Sequence, residues 1–273
     1  MNIVEKLTME TSGLVINHDR GYNGMSSIGD PCARKLQYNM YMASGEGQLN
    51  MRIMRLFNVG HAFETVLFEI LKDSGIHVYD SQSSYVDENE MWFGHSDGEF
   101  MFNDIKYLLE VKTHNDKSFK LLQKSGVKKS KPVHYDQMTM YMGYGEFERG
   151  LYAACNKNDS DLYFEEVVFD PKHFEKLKSK SVDVIASDIL LPRIGNSTES
   201  WFECKFCDHL RVCFGRAAPS KNCRTCHWVE PSNGNKWACT YGRTEIGDVP
   251  LSLEEQKAGC DNHMYGKMFN ETA

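Results

Sequence analysis

The chain has 273 residues, 41 % apolar and 12 % aromatic, with a formal net charge of −7. This suits a globular protein with a core: one large domain, or one domain and a small appendage. No run of about 18 apolar residues occurs, which excludes a membrane-spanning helix, and the opening MNIVEKLTMETSG lacks the basic start and long apolar stretch of a secretory signal.

In chain order the sequence reads as three parts. A stretch to about residue 50 holds Ser27, Cys32 and Arg34. A mixed α/β body follows to about 200. Ala62, Phe63, Val66, Leu67, Ile70 and Leu71 recur at helical spacing over 58–74, and Gly75 supplies a stop. Short β-like runs at 92–95, 99–102 and 107–113 are broken by the turn residues Ser96, Asp97 and Gly98. A helix is expected over 134–144, strands over 150–155 and 162–169, and a helix from Asp170 and Pro171 to about 187. The order is helix, three strands, helix, two strands, helix, which predicts a mixed sheet flanked by helices. A tail with seven of the nine cysteines closes the chain.

The negative net charge argues mildly against nucleic acid, yet six lysines and no acid lie between Lys117 and Lys131. Lys117, Lys120, Lys124, Lys128, Lys129 and Lys131 therefore form either a local grip on a phosphate backbone or a solvated loop.

Glu110 and Lys112 are two apart on a strand, so both point to one face. Asp97 sits at a turn one hairpin upstream and can reach that face. Two carboxylates meeting there repel each other unless a cation lies between them, and hard oxygen ligands select magnesium or manganese. Such an ion activates water and polarises a phosphate oxygen. The Lys112 ammonium can position that water or steady the growing charge. Glu64, four residues after Gly60, adds a third acid from the preceding helix. Gln137 and Tyr141 share a face of the following helix. His61 is a further candidate ligand, though a neighbour facing elsewhere on the helix is the stronger reading.

The set Gly60, Glu64, Asp97, Glu110-Val111-Lys112 and Gln137-x3-Tyr141 resembles the PD-(D/E)XK nuclease superfamily, and more narrowly its RecB-like exonuclease branch, across roughly 25–215. The resemblance implies a restriction-endonuclease-like α/β fold in which Asp97, Glu110 and the Val111 carbonyl ligate the metal. It implies that Glu64 aids metal binding, Lys112 serves catalysis, and Gln137 and Tyr141 support DNA or the active site. Many RecB-like members carry His where this chain has Glu64.

An odd count of nine cysteines without a signal favours a reduced cytosol, where clustered thiols hold metal. Cys204-x2-Cys207-x5-Cys213 brings three thiolates together, and Cys32, 172 residues earlier, is a distant fourth. The same branch includes iron–sulfur members, the CRISPR-adaptation and AddB-type nucleases, with one N-terminal and three C-terminal cysteines. The context Ser27, Cys32, Ala33, Arg34 also resembles theirs. The resemblance implies a four-iron, four-sulfur cluster with a structural role; zinc is the rival, since spacing does not discriminate. Arg34 is either a DNA-phosphate contact or a surface residue. Cys223-x2-Cys226-x12-Cys239-x20-Cys260 reads as a zinc site, with His227 and His263 as alternates. Trp237-Ala238-Cys239 and Gln256-x2-Gly259-Cys260-x2-His263 resemble tails of phage-type nucleases. Cys155 stands alone in an expected strand and reads as a buried core thiol.

The sequence thus predicts a PD-(D/E)XK core over 1–215, closed by an iron–sulfur cluster, and a zinc-binding module over 216–273. The expected function is a cytoplasmic (host-cytoplasmic if viral), magnesium- or manganese-dependent deoxyribonuclease. Its expected substrate is single strands or DNA ends, in recombination, repair or phage DNA processing. The alternatives are a DNA-binding adaptor with a vestigial nuclease centre and a redox iron–sulfur protein.

Overall fold

The computed structural model describes residues 2–12, 14–16, 22–44, 48–79, 82–196, 198–232, 236–244 and 247–270. The chain divides into two units. One draws on Met1–Asn17, Gln48–Tyr85 and Gly94–Leu177, the other on His18–Gly47, Val86–Phe93 and Lys178–Ala273. The expected boundary at residue 215 falls inside the second unit, because Tyr38 and Ala43 share a core with Val212, Met268 and Phe269.

The first unit is a mixed α/β fold, as expected. Helix α1 (Met51–Asp73) buries Leu67 and Leu71 and lays Phe63 and Phe68 beside them. It starts earlier than the expected residue 58, and Leu56 and Phe57 in its added turns remain exposed. It stops where Gly75 takes φ 81° and the Gly75 and Ile76 amides turn back to the Lys72 and Leu71 carbonyls.

Five strands follow: β1 (Val78–Tyr79), β2 (Gly98–Phe102), β3 (Ile105–His114), β4 (Arg149–Asn156) and β5 (Leu162–Val168). They lie side by side in the order β5-β4-β3-β2-β1, with β3 and β4 parallel and the other pairs antiparallel. The β2–β3 hairpin turns on Asn103 and Asp104, both at positive φ (51° and 61°), the two-residue turn whose twist suits a hairpin. That turn sets Gly98 opposite Leu109, so Asp97 continues the register toward Glu110.

The two faces of β3 divide the work. Tyr107, Leu109 and Val111 join the α1 core with Phe100 and Ala153. The opposite face carries Leu108, Glu110, Lys112 and His114. Helices α2 (Asp116–Ser130) and α3 (Pro132–Tyr144) complete the layer. Met138 and Met142 of α3 crowd Gly150, the β4 partner of Leu108. The lysine segment is thus a helix rather than a loop. Its N-cap Asn115 accepts from the Ser118 amide, and it buries Phe119, Leu122 and Val127. Gly126, at φ 71°, breaks its regularity, and Glu165 of β5 accepts the Val127 amide there at 2.7 Å. A helix at Pro171–Ala186 follows, close to the expected bounds.

The second unit contains a short helix, Ala33–Met40, and a three-stranded antiparallel sheet of Val229–Ser232, Lys236–Thr244 and Gly247–Leu251. A capping box between Ser252 and Glu255 starts the helix Leu253–Ala258. Trp237 is fully buried with the Arg224 guanidinium 4.9 Å from its ring. Arg224 also donates to Gln256 Oε1 and to the Met40 carbonyl, both at 2.8 Å. Among the described residues no helix is long and apolar enough to cross a membrane.

Candidate active site and cysteine clusters

The first unit brings Asp97, Glu110, Val111 and Lys112 to one spot. Asp97 Oδ2 accepts the Val111 amide at 2.6 Å, which fixes its carboxylate across the hairpin. Lys112 Nζ pairs with Glu110 Oε1, lies 3.7 Å from Asp97 Oδ2 and donates to the Val111 carbonyl at 3.1 Å. One ammonium group therefore touches all three of the oxygen groups expected to hold a metal. Glu110 is fully buried, and among the described residues its Oε2 has no hydrogen-bond partner. A buried carboxylate oxygen without a donor is costly unless a cation serves it, and hard oxygen donors suit magnesium or manganese. The donor set fits such an ion.

Glu64 stands nearby on α1 and is electrostatically aware of Asp97 and Lys112. Burial raises its pKa, and Asp97 adds to the rise. Burial likewise pushes the Glu110 carboxyl up to about 8, with Lys112 opposing and Asp97 reinforcing. Burial works against the Lys112 charge, but Glu110 and Asp97 outweigh it and hold the ammonium above its ordinary range. All three shifts reflect negative charge crowded into a dry place. His61 does not face elsewhere: its Nδ1 lies 3.4 Å from Glu64 Oε1, because a spacing of three stacks both on one helix face.

Gln137 and Tyr141 lie on α3, both buried, and Gln137 Nε2 donates to Tyr141 Oη at 3.3 Å. Gly94 makes room for the Tyr141 ring: a Cβ there would come within 2.7 Å of Tyr141 Oη and 2.8 Å of Cζ. Three further polar residues near the site escaped sequence reasoning. His114 Nε2 and His134 Nδ1 both meet Tyr152 Oη, at 2.9 and 2.8 Å. His114 follows Lys112 by two, and His134 precedes Gln137 by three; strand and helix periodicity were the signals available.

Lys117, Lys120, Lys124, Lys128 and Lys129 are exposed on α2. Lys120 pairs with Asp116 at 2.9 Å and Lys128 with Asp170 at 3.4 Å. Lys131 departs from this set: it is half-buried and bonds Ser118 Oγ. Arg34 is likewise turned inward in the second unit, its guanidinium donating to the Leu191 and Leu190 carbonyls.

All nine cysteines are free thiols. Cys32, Cys204, Cys207 and Cys213 line one cavity of about 240 Å³ in the second unit, together with Arg34, Lys35, Tyr38 and Arg193. Burial first, and then Cys32 and Cys213, raise the Cys204 thiol; burial also raises Cys207. Four soft donors around one cavity fit an iron–sulfur cluster or zinc by their chemistry. In the tail, burial and then Cys260, Cys226 and Cys239 push the Cys223 thiol up to about 11, so the charge of each of these three is felt at Cys223. His263 Nε2 is engaged by Thr225 Oγ1 at 3.1 Å. Among the described residues no three His, Cys, Asp or Glu side chains already stand at closed metal-ligand spacing. Cys155 is buried in β4, as expected.

No family model and no curated protein sequence matches the chain. Several solved structures are similar in part. An alkaline exonuclease (LHK-Exo) from Laribacter hongkongensis overlaps with a TM-score of 0.46 at 15 % identity, over 62 % of this chain and 88 % of that one. The protein SSO0001 overlaps with a TM-score of 0.46 at 16 % identity, over 79 % and 95 %. A phage-related exonuclease from Haemophilus somnus 129PT overlaps with a TM-score of 0.40 at 14 % identity, over 60 % and 91 %.

Proposed function

We propose that this chain is a divalent-cation-dependent deoxyribonuclease that hydrolyses phosphodiester bonds at the Asp97–Glu110–Lys112 site. The observation that carries the reading is the seat formed by Asp97, Glu110 and the Val111 carbonyl around a positive charge. A magnesium or manganese ion held by those three groups, with Glu64 close by, would activate water and polarise a phosphate oxygen. Lys112, displaced from the oxygens it now touches, keeps its charge at the site and donates to the phosphoryl oxygens as negative charge grows there. The Val111 amide holds Asp97 in place throughout. Gln137 keeps the Tyr141 hydroxyl oriented at the wall of the site. The exposed lysines of α2, which directly follows β3, grip the DNA backbone.

The substrate in this reading is DNA, as single strands or ends, cut exonucleolytically in recombination, repair or phage DNA processing. Cys32, Cys204, Cys207 and Cys213 would hold a four-iron cluster of structural role, and Cys223, Cys226, Cys239 and Cys260 a zinc ion. Thiols in such sites close on their metal as it binds.

The test is cleavage of labelled linear, end-blocked and circular DNAs, single- and double-stranded, with magnesium, manganese or chelator. The purified protein cleaves only with the cation. Asp97→Ala and Lys112→Ala abolish cleavage while circular dichroism stays unchanged. Full activity in either variant refutes the assignment.

A further inference from the structure

Behind Lys112 runs a continuous line of polar side chains that the catalytic set does not use. Lys131 Nζ bonds Ser118 Oγ, Ser118 Oγ faces His114 Nδ1 at 3.4 Å, His114 Nε2 meets Tyr152 Oη at 2.9 Å, and Tyr152 Oη meets His134 Nδ1 at 2.8 Å. Burial first, then nearby Lys131 and Lys112, depress His114 to about 4. Burial and Lys112 depress His134 to about 3. Both rings are therefore neutral near pH 7, each with one N–H and one acceptor nitrogen.

One order of protons satisfies every link of this line in turn. An ammonium group only donates, so Ser118 Oγ accepts from Lys131 and turns its own proton to His114 Nδ1. His114 then carries its proton on Nε2 and donates to Tyr152 Oη. Tyr152 has one proton left, and it goes to His134 Nδ1. In this order the proton of His134 sits on Nε2. Among the described residues that Nε2 has no partner, and the His134 side chain is partly exposed.

The place of that N–H is informative. His134, Gln137 and Tyr141 share one face of α3, spaced by three and four. Glu110, Lys112 and His114 share one face of β3. The His114 and His134 rings stack with centroids 5.7 Å apart, and Tyr152 lies beside Glu110 in the parallel β3–β4 register. The histidine end of the helix face thus lies beyond Lys112, next along the strand from the acidic seat.

We infer that His134 is a further substrate-binding residue, its Nε2–H donating to a non-bridging oxygen of a phosphodiester next to the scissile one, with Tyr152 as the residue that positions it. This inference rests on the nuclease reading. A neutral donor suits the place: it binds a phosphate oxygen without adding a cation beside the metal seat. Fixed in advance by the line from Lys131, it needs no reorganisation when substrate arrives.

Long-range proton–nitrogen NMR of the full chain reads the tautomers directly. Both His114 and His134 are expected as Nε2–H forms at pH 7.5. A short single-stranded oligodeoxynucleotide, added with chelator and no divalent ion, shifts the His134 Nε2 resonance more than that of His114. Tyr152→Phe keeps the packing but breaks the line; His134 then populates both tautomers and kcat falls about tenfold, with KM changed less than twofold. His134→Ala lowers kcat/KM about a hundredfold, and His134→Gln, which keeps an N–H, restores part of it. An Nδ1–H His134 in the wild type, or a His134→Ala variant cleaving at the wild-type rate, overturns the inference and leaves the nuclease reading standing. A wild type that does not cleave DNA with either cation overturns both.

Discussion

Gly94→Ala tests the packing that holds the site in shape. The added methyl would sit against the Tyr141 ring, with Oη at 2.7 Å and Cζ at 2.8 Å, where ordinary contact needs 3.4 Å or more. The ring has little room to retreat. Tyr141 is 2 % exposed, its ring lies 5.4 Å from that of Tyr85, and its hydroxyl takes the Gln137 bond. Relief requires a shift of about 1 Å. Overpacking of this kind costs about 2 kcal/mol, a fall in Tm of roughly 4–8 °C for a domain of this size. A displacement of about 1 Å beside reacting groups can cost about a hundredfold in rate. Denaturant unfolding and DNA cleavage measure the two effects separately. Gly94→Ala combined with Tyr141→Leu should be more stable than the sum of the single losses, by about 1–2 kcal/mol, because the clash has gone. A Gly94→Ala protein with wild-type Tm and wild-type cleavage would show that the ring does not hold this position.

Acid should weaken the first unit. His114 and His134 are held neutral when folded, at about 4 and about 3, and take up protons near 6.5 when unfolded. As pH falls below 6.5 the unfolded chain gains protons that the fold refuses, and stability drops by up to about 1.4 kcal/mol per pH unit for each ring. Urea midpoints at pH 7.5 and 5.0 check this; an equal or higher midpoint at pH 5.0 contradicts it. Neutralising Lys117 and Lys124 together should flatten the slope of log affinity against log salt by roughly 1.4 on single-stranded DNA and 1.8 on duplex. An unchanged slope removes α2 from the DNA-binding surface. Cys239→Ser should release zinc, measured by elemental analysis, and abolish amide protection over 223–260. Retention of one zinc per chain would exclude this thiol as a ligand.

The sheet and its helices were legible because their signals are local. The stripe from Phe63 to Leu71, the break at Ser96–Gly98 and the Asp170–Pro171 start each lie within a few residues of the structure they specify. Asp97, Glu110 and Lys112 could be placed together for the same reason: a tight hairpin and a period of two fix their relation. Helix α2 was harder. Its apolar contacts are only Phe119, Leu122 and Val127, and Gly126 interrupts them; the break is tied down by Glu165, 38 residues from the amide it accepts. In the second unit the cysteine spacing was legible but the packing was not, since the burial of Tyr38 depends on Val212 and Phe269, far beyond any window of periodicity. The inward turn of Lys131 and Arg34 was equally hidden. Their partners, Ser118 and the Leu190 and Leu191 carbonyls, give no sign in the sequence that they await a cation.

The interleaving of the two units along the chain governs how the molecule can be made and dissected. Each is stitched from three separated stretches, and the second needs residues 22–44, 86–93 and 178–270 at once. During synthesis its early segments must wait, with Tyr38 and Leu36 unsheltered, until well over a hundred further residues have left the ribosome. No single cut yields either unit whole. Dissection calls for circular permutation or grafted loops at the crossings, where an ordinary truncation would discard half of a core.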